Sequence, residues 1–151
     1  MLKVIYAPAE ISDFNNSLFL AGGITGCPDW QKDLISLLRA PKTQTTIFNP
    51  RRMQTPPPEA AEEQIIWEHK HLLKVNAVSF WFPKETLCPI TLYELGVFSE
   101  RKTPIFVGTH PEYKRKEDVR IQLKLARPDV GVVDSIEGLA DKINRYIEIF
   151  H

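Results

Sequence analysis

The sequence contains few cysteines, no surplus of charge and no long apolar run. Cys27 and Cys88 are its only two cysteines, and they lack the paired spacing of a zinc site. A secreted disulfide scaffold of this length would carry more cysteines, so we expect the reducing environment of the cytoplasm. Nineteen basic side chains balance nineteen acidic ones, which leaves no overall field to attract a nucleic-acid polymer. No apolar stretch approaches the length needed to cross a bilayer, so no membrane partner is expected.

What the sequence does contain is an alternation of short apolar runs and longer amphipathic stretches. The apolar runs predict strands at residues 18–21, 46–48, 77–82, 105–107 and 131–133. The amphipathic stretches predict helices at residues 30–38, 60–74, 90–101, 116–126 and 135–149. Residues 3–6 are a candidate for a sixth strand. The length predicts one compact domain over residues 1–151.

This alternation is typical of an α/β fold with a doubly wound parallel sheet. Because crossovers are right-handed and helices must cover both faces, it favours a flavodoxin-like or Rossmann-like three-layer α/β/α sandwich. We expect a five-stranded parallel sheet of order 2-1-3-4-5, with residues 77–82 as the central strand. Ligands of such sheets bind beyond the carboxyl ends of the strands, at the switch point between the first and third strands. This rule indicates the loops at residues 22–26 and 83–89.

The first of these loops opens with Gly22 and Gly23. Glycines let a backbone approach a ligand closely, but their spacing matches neither a P-loop nor a dinucleotide fingerprint. A tight turn is an equally good interpretation. Arg51 follows the second predicted strand, where its guanidinium could bind a phosphate or carboxylate or form a surface ion pair. Both features are therefore candidates on their position alone.

The second loop leads into a predicted helix that carries Glu94. Pro89 suits the first turn of a helix, which places Glu94 in the second turn, near the positive end of the helix dipole. Dipole stabilisation of about 0.3–1 kcal/mol would explain an acidic residue there without any catalytic role. The neighbouring Tyr93 and Leu95 are apolar, however, and an uncharged residue would cost less in such a segment. Glu94 is therefore a candidate functional carboxylate.

The helix predicted at residues 60–74 combines an apolar stripe with a polar row. The stripe, which we expect to face the core, comprises Ile65, Ile66, Leu72 and Leu73. The polar row at helical spacing comprises Gln64, Glu68 and His71. This row could bind a polar ligand, or it could form a solvated flank. His69 lies within the apolar stripe and is interpreted as a core histidine.

These residues together carry a resemblance to the nucleoside 2-deoxyribosyltransferase-like family, over roughly residues 18 to 98. The chain is similar to that family in Leu20-Ala21-Gly22-Gly23-Ile24, Asn49-Pro50-Arg51, Trp67-Glu68, and Phe80-Trp81-Phe82-Pro83 leading to Tyr93-Glu94-Leu95-Gly96. The resemblance implies that the Glu94 carboxylate attacks the anomeric carbon of a 2′-deoxynucleoside and holds the deoxyribosyl group as an ester until a second base accepts it. It implies Glu68 as the general acid or substrate-orienting residue. It implies neither a metal nor an organic cofactor.

The resemblance also implies a set of binding residues and partners. The expected substrate-binding residues are Gly22, Gly23, Ile24, Asn49, Arg51, Trp67, Glu85 and Pro89. Glu85 is the nearest substitute for an aspartate that the family carries before its nucleophile. The expected partners are nucleosides, free nucleobases and further copies of the chain. A homo-oligomer would also cover the apolar groups of the tail at residues 144–151.

Two other functions are compatible with the same residues. The first is hydrolysis of a 2′-deoxynucleoside 5′-monophosphate by the same covalent route, with water as the acceptor. Gly22, Gly23 and Arg51 would then surround the phosphate, but the serine-rich constellation expected there is missing, so transfer is favoured. The second is a non-catalytic nucleotide-binding module, in which Glu94 only stabilises a helix.

Overall fold

A computed structural model describes residues 1–150 of the chain as six strands and five helices. The strands are β1 (Leu2–Ala7), β2 (Ser17–Gly22), β3 (Thr45–Arg52), β4 (Ala77–Phe82), β5 (Ile105–Thr109) and β6 (Val132–Val133). The helices are α1 (Trp30–Leu37), α2 (Ala61–Leu72), α3 (Pro89–Ser99), α4 (Lys116–Ala126) and α5 (Ile136–Phe150). A 3-10 turn at Pro58–Ala60 precedes α2. Within residues 1–150, none of the helices has the length and apolar character needed to cross a membrane.

The six strands form one parallel sheet in the order β1-β3-β2-β4-β5-β6. The five strands from β2 to β6 follow the predicted order 2-1-3-4-5, so the three-layer α/β fold is confirmed. The predicted number of strands is corrected from five to six, because β1 pairs with β3 from Leu2 beside Thr45 to Ala7 beside Arg52. Most side chains of this edge strand, whose residues 3–6 were a candidate in the sequence, are only partly buried.

Helices cover both faces of the sheet. The fully buried side chains of Leu34 and Ile143 belong to the core beneath α1 and α5. On the opposite face, Trp67 and Leu123 belong to the core beneath α2, α3 and α4. All six residues of β4 are buried, as expected of a central strand with helices on both sides.

The buried face of α2 differs from the predicted one. Ile65 and Ile66 were expected in the core but are 64% and 58% exposed. Trp67 and His71 are buried instead, with their rings stacked and His71 Nδ1 2.7 Å from the Trp67 carbonyl oxygen. The large indole fills the space above the sheet and turns the two isoleucines outward. His69, interpreted above as a core residue, is exposed.

The two loops singled out in the sequence lie side by side. β2 and β4 are neighbours in the sheet, with Gly22 beside Trp81. The chain leaves both strands at the same edge of the sheet, since the strands are parallel. Residues 22–26 and 83–88 therefore frame one space at the carboxyl ends of the central strands, as the switch-point rule predicts.

Candidate active site

Glu94 lies in the second turn of α3, which begins directly after the loop that follows β4. Pro89 occupies the first position of the helix, where a missing N–H loses no hydrogen bond. Cys88 precedes it with a φ of 50°, and its backbone N–H donates to Thr86 Oγ1 at 3.0 Å. Leu92 in turn donates to the Cys88 carbonyl oxygen at 3.0 Å. These bonds fix the start of α3 and therefore the position of Glu94.

The Glu94 side chain lines a cleft of about 570 Å³ between α2, α3 and the loops that follow β2 and β4. We call this space the Glu94 cleft. A volume of several hundred Å³ is in the range of small-molecule binding sites. The residues proposed from the sequence that line it are Gly22, Gly23, Ile24, Glu68, Pro89 and Glu94. The structure thus brings both candidate catalytic carboxyl groups into one space.

The two carboxyl groups of the cleft influence each other's ionisation. Burial, with a further contribution from the charge of Glu68, raises the pKa of Glu94 to about 8. Burial also raises the pKa of Glu68, against a hydrogen bond from Gln64 that lowers it. Two like charges in a poorly solvated space disfavour double ionisation. The pair therefore favours a state in which one carboxyl group keeps its proton near neutral pH.

Hydrogen bonds from β3 position Glu68. Gln64 Nε2 lies 3.5 Å from Glu68 Oε1 and donates to the Pro50 carbonyl oxygen at 2.8 Å. Gln64 Oε1 accepts a hydrogen bond of 2.8 Å from Arg52 Nε, and Arg52 also pairs with Glu63 at 3.2 Å. The sequence placed Gln64 beside Glu68 at helical spacing. The sequence did not indicate that Arg52 bonds to Gln64, because this contact joins a strand to a helix.

Gly22 and Gly23 line the cleft, and neither position has room for a larger residue. A β carbon on Gly22 would collide with the ring of Trp30 and lie 2.5 Å from the Trp81 carbonyl oxygen. A β carbon on Gly23 would lie 2.8 Å from Cys27 Sγ. Neither glycine has a positive φ, so close packing rather than backbone strain requires them. The bare backbone after β2 consequently forms one wall of the cleft.

The guanidinium of Arg51 binds the protein itself. Its Nε donates to Gln31 Oε1 at 2.7 Å and lies 3.3 Å from Asp29 Oδ1. One terminal nitrogen donates to the carbonyl oxygens of Pro28 at 2.6 Å and Cys27 at 3.2 Å. Arg51 lines a neighbouring groove rather than the Glu94 cleft. It holds the loop that leads into α1.

Three more of the expected binding residues lie outside the cleft. Asn49 is buried, and its Oδ1 accepts a hydrogen bond of 3.0 Å from the Arg51 backbone N–H. Trp67 is buried and donates from Nε1 to the Ala9 carbonyl oxygen at 2.9 Å. Glu85 is exposed on the loop that follows β4. Asn49 and Trp67 stabilise the surroundings of the cleft, and substrate binding by any of the three stays a prediction.

The helices contribute cleft residues that the sequence analysis missed. Ile90 and Tyr93 line the cleft beside Glu94 and are 64% and 73% exposed, while Ile65 and His69 face them from α2. Residues three or four positions apart lie on the same face of a helix, so the sequence could have indicated that Ile90 and Tyr93, like Ile65 and His69, share a face that points away from the core. The other missed residues are Thr25, Leu72, Leu73, Thr86, Cys88, Thr91, Val97, Phe98 and Arg101.

The arrangement can support nucleophilic catalysis with proton transfer. A glutamate carboxylate can attack a sugar carbon and form a covalent intermediate. A second carboxyl group that keeps its proton can act as the acid toward the leaving group. Within residues 1–150, no three or more histidine, cysteine, aspartate or glutamate side chains are grouped to hold a metal ion. The carboxyl groups that line the cleft are those of Glu94 and Glu68.

Comparison with known proteins agrees with this geometry. A sequence model of the family described as nucleoside 2-deoxyribosyltransferase like matches residues 15–113. The matched region runs from before β2 to beyond β5 and includes Gly22, Gly23, Glu68 and Glu94. No curated protein matches the chain. Because the match covers well over half of its residues, the chain belongs to the nucleoside 2-deoxyribosyltransferase-like family.

Proposed function

We propose that the protein transfers a 2-deoxyribosyl group between nucleobases, with Glu94 as the nucleophile. The observation that carries this proposal is the pair of carboxyl groups, Glu94 and Glu68, in one cleft beside the backbone of Gly22 and Gly23. Membership of the family supports a nucleoside as the substrate. The proposal treats residues 1–151 as one catalytic domain.

In the first half-reaction, the ionised Glu94 carboxylate attacks C1′ of a β-2′-deoxynucleoside from the face opposite the base. The bond between C1′ and the base nitrogen breaks, and its electron pair stays on the base. Glu68 donates its proton to the leaving base, whose developing charge would otherwise slow the step. The products are a free base and a deoxyribosyl ester of Glu94.

In the second half-reaction, a nitrogen of another base attacks C1′ of the ester. The ester bond between C1′ and the Glu94 oxygen breaks, its electron pair returns to Glu94, and Glu68 takes the proton of the incoming base. Two inversions at one carbon retain the β configuration, as in retaining glycosidases. The apolar side chains of Ile65 and Ile90 along the cleft favour a base over water as the acceptor.

Neutral nucleosides, rather than their 5′-monophosphates, are the proposed substrates. Cationic donors form the strong hydrogen bonds to phosphate, but most donors of Arg51 already bind the protein outside the cleft. In the described part of the chain, Arg101 is the only arginine or lysine that lines the cleft. It follows Glu94 by seven positions, about 10 Å along the helix direction. Glu94 and Glu68 would repel a phosphate placed near them.

The proposed assembly is a homo-oligomer that covers the mouth of the cleft. Ile65, Ile90 and Tyr93 leave an exposed apolar surface there, of the kind that marks interaction sites. In the tail, which the sequence analysis also expected to be covered, Ile147 is 4% exposed and belongs to the protein's own core, while Ile149 is 74% exposed. The Phe150 side chain and His151 lie outside the described residues.

Incubation of the protein with a deoxynucleoside and a different free base tests the proposed reaction. We expect a new deoxynucleoside that carries the second base, separated by chromatography. Release of free base without exchange would contradict transfer and favour hydrolysis, and a parallel incubation with a 5′-monophosphate identifies the preferred hydrolytic substrate. The absence of turnover in every incubation would favour a binding module.

Substitution of Glu94 tests the nucleophile. Glu94→Gln should abolish both exchange and the covalent sugar ester detected by mass spectrometry. The matched control is Glu100→Gln, which changes an exposed glutamate at the end of the same helix and should retain activity. Turnover by Glu94→Gln at the parent rate would remove Glu94 from the mechanism.

A further inference from the structure

The two cysteines of the chain come from different loops but meet at Gly23. Both are free thiols. A β carbon on Gly23 would lie 2.8 Å from Cys27 Sγ and 3.0 Å from Cys88 Sγ. The sulfur atoms are therefore at most about 6 Å apart, compared with about 2.05 Å in a disulfide. The hydroxyl of Thr86 lies 3.3 Å from Cys88 Sγ, which places a third polar group beside the two sulfur atoms.

We propose that Cys27 and Cys88 are a reversible redox pair that forms a disulfide across Gly23. The absence of a side chain on Gly23 leaves open the space in which the sulfurs meet. Arg51 holds the Cys27 carbonyl oxygen, but rotation of the Cys27 side chain moves its sulfur without breaking that bond. Its neighbour Gly26 has a φ of 72° and an open environment, which allows the loop to adjust.

A small-molecule disulfide is the oxidant. The thiolate of Cys27, which is the more exposed of the two, attacks the disulfide and forms a mixed disulfide while one small thiolate leaves. The thiolate of Cys88 then attacks the Cys27 sulfur, and the second small thiolate leaves. Two protein thiols are oxidised and one small disulfide is reduced to two thiols, so electrons and protons balance.

The surroundings of the two thiols make their exchange with a small disulfide slow. Burial raises the pKa of Cys27, and the nearby Cys88 and Glu85 raise it further against the charge of Arg51. Burial raises the pKa of Cys88 as well, against a hydrogen bond from Thr86. Since the thiolate is the attacking species, the pair stays reduced until a disulfide oxidant is abundant.

The disulfide would change the Glu94 cleft. Gly23 and Cys88 both line it, and Cys88 directly precedes the helix that carries Glu94. A covalent bond between the two loops would pull the Gly23 wall and the start of α3 into a different position from the reduced one and hold them there. Oxidation should therefore lower deoxyribosyl exchange at least about tenfold. This consequence rests on the proposed function, whereas formation of the disulfide does not.

Treatment of the full chain with oxidised glutathione at mildly alkaline pH tests the proposal. We expect intact mass spectrometry to show the loss of two hydrogen atoms, and peptide mapping to join the peptides of Cys27 and Cys88. Dithiothreitol should restore the parent mass and the exchange activity. Cys27→Ser is the matched control, because it should form no internal disulfide and its activity should not respond to the oxidant.

Three results would overturn the proposal. They are two thiols that remain free, mixed disulfides that persist without closing, and links between molecules in place of the internal one. A disulfide that forms without any effect on an active enzyme would overturn the regulatory consequence. If the reduced protein exchanges no bases at all, the proposed function fails while the mass measurement still decides the redox pair.

Discussion

The indole Nε1 of Trp30 donates a hydrogen bond of 2.9 Å to the Gly23 carbonyl oxygen, and the same ring fills the space above Gly22. Trp30 opens α1 and belongs to the core on the opposite face of the sheet from α3. One wall of the Glu94 cleft is therefore positioned by a side chain that does not line it. This makes Trp30 a positioning residue whose contribution can be separated from that of the carboxyl groups.

Replacement of Trp30 tests this role. Trp30→Phe keeps an aromatic ring but removes the N–H, so we expect the free energy of unfolding to fall by about 1 kcal/mol and KM for the nucleoside to rise. Urea denaturation and steady-state kinetics provide the measurements. Trp67→Phe is the matched control, because it removes a similar hydrogen bond to Ala9 outside the cleft. An equal rise in KM for both variants would show that general destabilisation is the cause.

The raised pKa of Glu94 predicts how stability depends on pH. The unfolded chain releases this proton near the ordinary value of 4.5, whereas the folded chain keeps it up to about 8. Between these values unfolding releases a proton, so the folded state loses stability as pH rises, by up to about 1.4 kcal/mol for each pH unit. Glu94→Gln removes this loss and should melt at a higher temperature than the parent at pH 8.

Thermal melting followed by circular dichroism at several pH values provides the measurement. The difference between Glu94→Gln and the parent should shrink toward a constant value as the pH falls below 4.5, where the folded and unfolded chains both bind the proton. Glu100→Gln should follow the parent throughout. A Glu94→Gln variant that is less stable than the parent at pH 8 would mean that Glu94 is stabilised as a carboxylate.

The two carboxyl groups also predict the pH profile of exchange. The reactive state needs Glu94 ionised and Glu68 protonated. Because the raised pKa of Glu94 keeps the proton on Glu94 near neutral pH, this state is a minor form of the pair, and activity should follow a bell-shaped curve whose limits belong to the pair. Glu68→Gln should lower the rate by about 10²–10⁴ and leave a single rise with pH as Glu94 ionises. That rise should occur below the parent value of about 8, because the charge of Glu68 is gone.

Measurement of kcat/KM from acidic to alkaline pH checks this prediction. Glu62→Gln changes an exposed acidic residue on the same helix and should keep the bell shape. If the alkaline limb persists unchanged in Glu68→Gln, the proton donor is another group and Glu68 only orients the substrate.

Arg51 should behave as a structural residue. Arg51→Lys keeps the charge but loses the planar group that binds Gln31, Pro28 and Cys27. We expect the free energy of unfolding to fall by about 2 kcal/mol, with an unchanged preference between a nucleoside and its 5′-monophosphate. Urea denaturation and competition between the two substrates check both points. Intact stability with a selective loss of monophosphate turnover would instead make Arg51 a phosphate ligand.

The exposed apolar residues at the mouth of the cleft predict where copies of the chain meet. The protein should sediment as an oligomer in analytical ultracentrifugation, and Ile90→Asp should shift it toward the monomer by placing a charge in the contact. Ile149→Asp is the matched control, because Ile149 is exposed on the tail at 74%. If the tail variant dissociates and the Ile90 variant does not, the interface lies at the tail.

The sequence was most informative where a local pattern decides the structure. The continuous apolar run of β4 and the handedness of crossovers were sufficient to predict the strand order and to place Gly22 and the helix that carries Glu94 at the ends of neighbouring strands. Local patterns failed where the outcome depends on competition for space. Ile65 and Ile66 look like core residues until Trp67 takes the space above the sheet.

Contacts between segments that are distant in the chain could not be predicted from the sequence either. The residues that accept hydrogen bonds from Arg51 lie in the loop before α1 and in the first turn of α1, 20 to 24 positions earlier in the chain. Nothing in the local pattern around residues 49–51 distinguishes such an arginine from one that binds phosphate. The meeting of Cys27 and Cys88 at Gly23 depends in the same way on the pairing of β2 with β4.

The extra strand β1 has a consequence for solubility. An open sheet edge can pair with the edge of another molecule and start aggregation. β1 covers β3 along the sheet and carries Lys3 with an exposed side chain, while the opposite edge strand, β6, has only two residues. Both edges are therefore poor templates for a neighbouring chain. Deletion of residues 1–7 would uncover β3 and cause aggregation while leaving the residues of the Glu94 cleft in place.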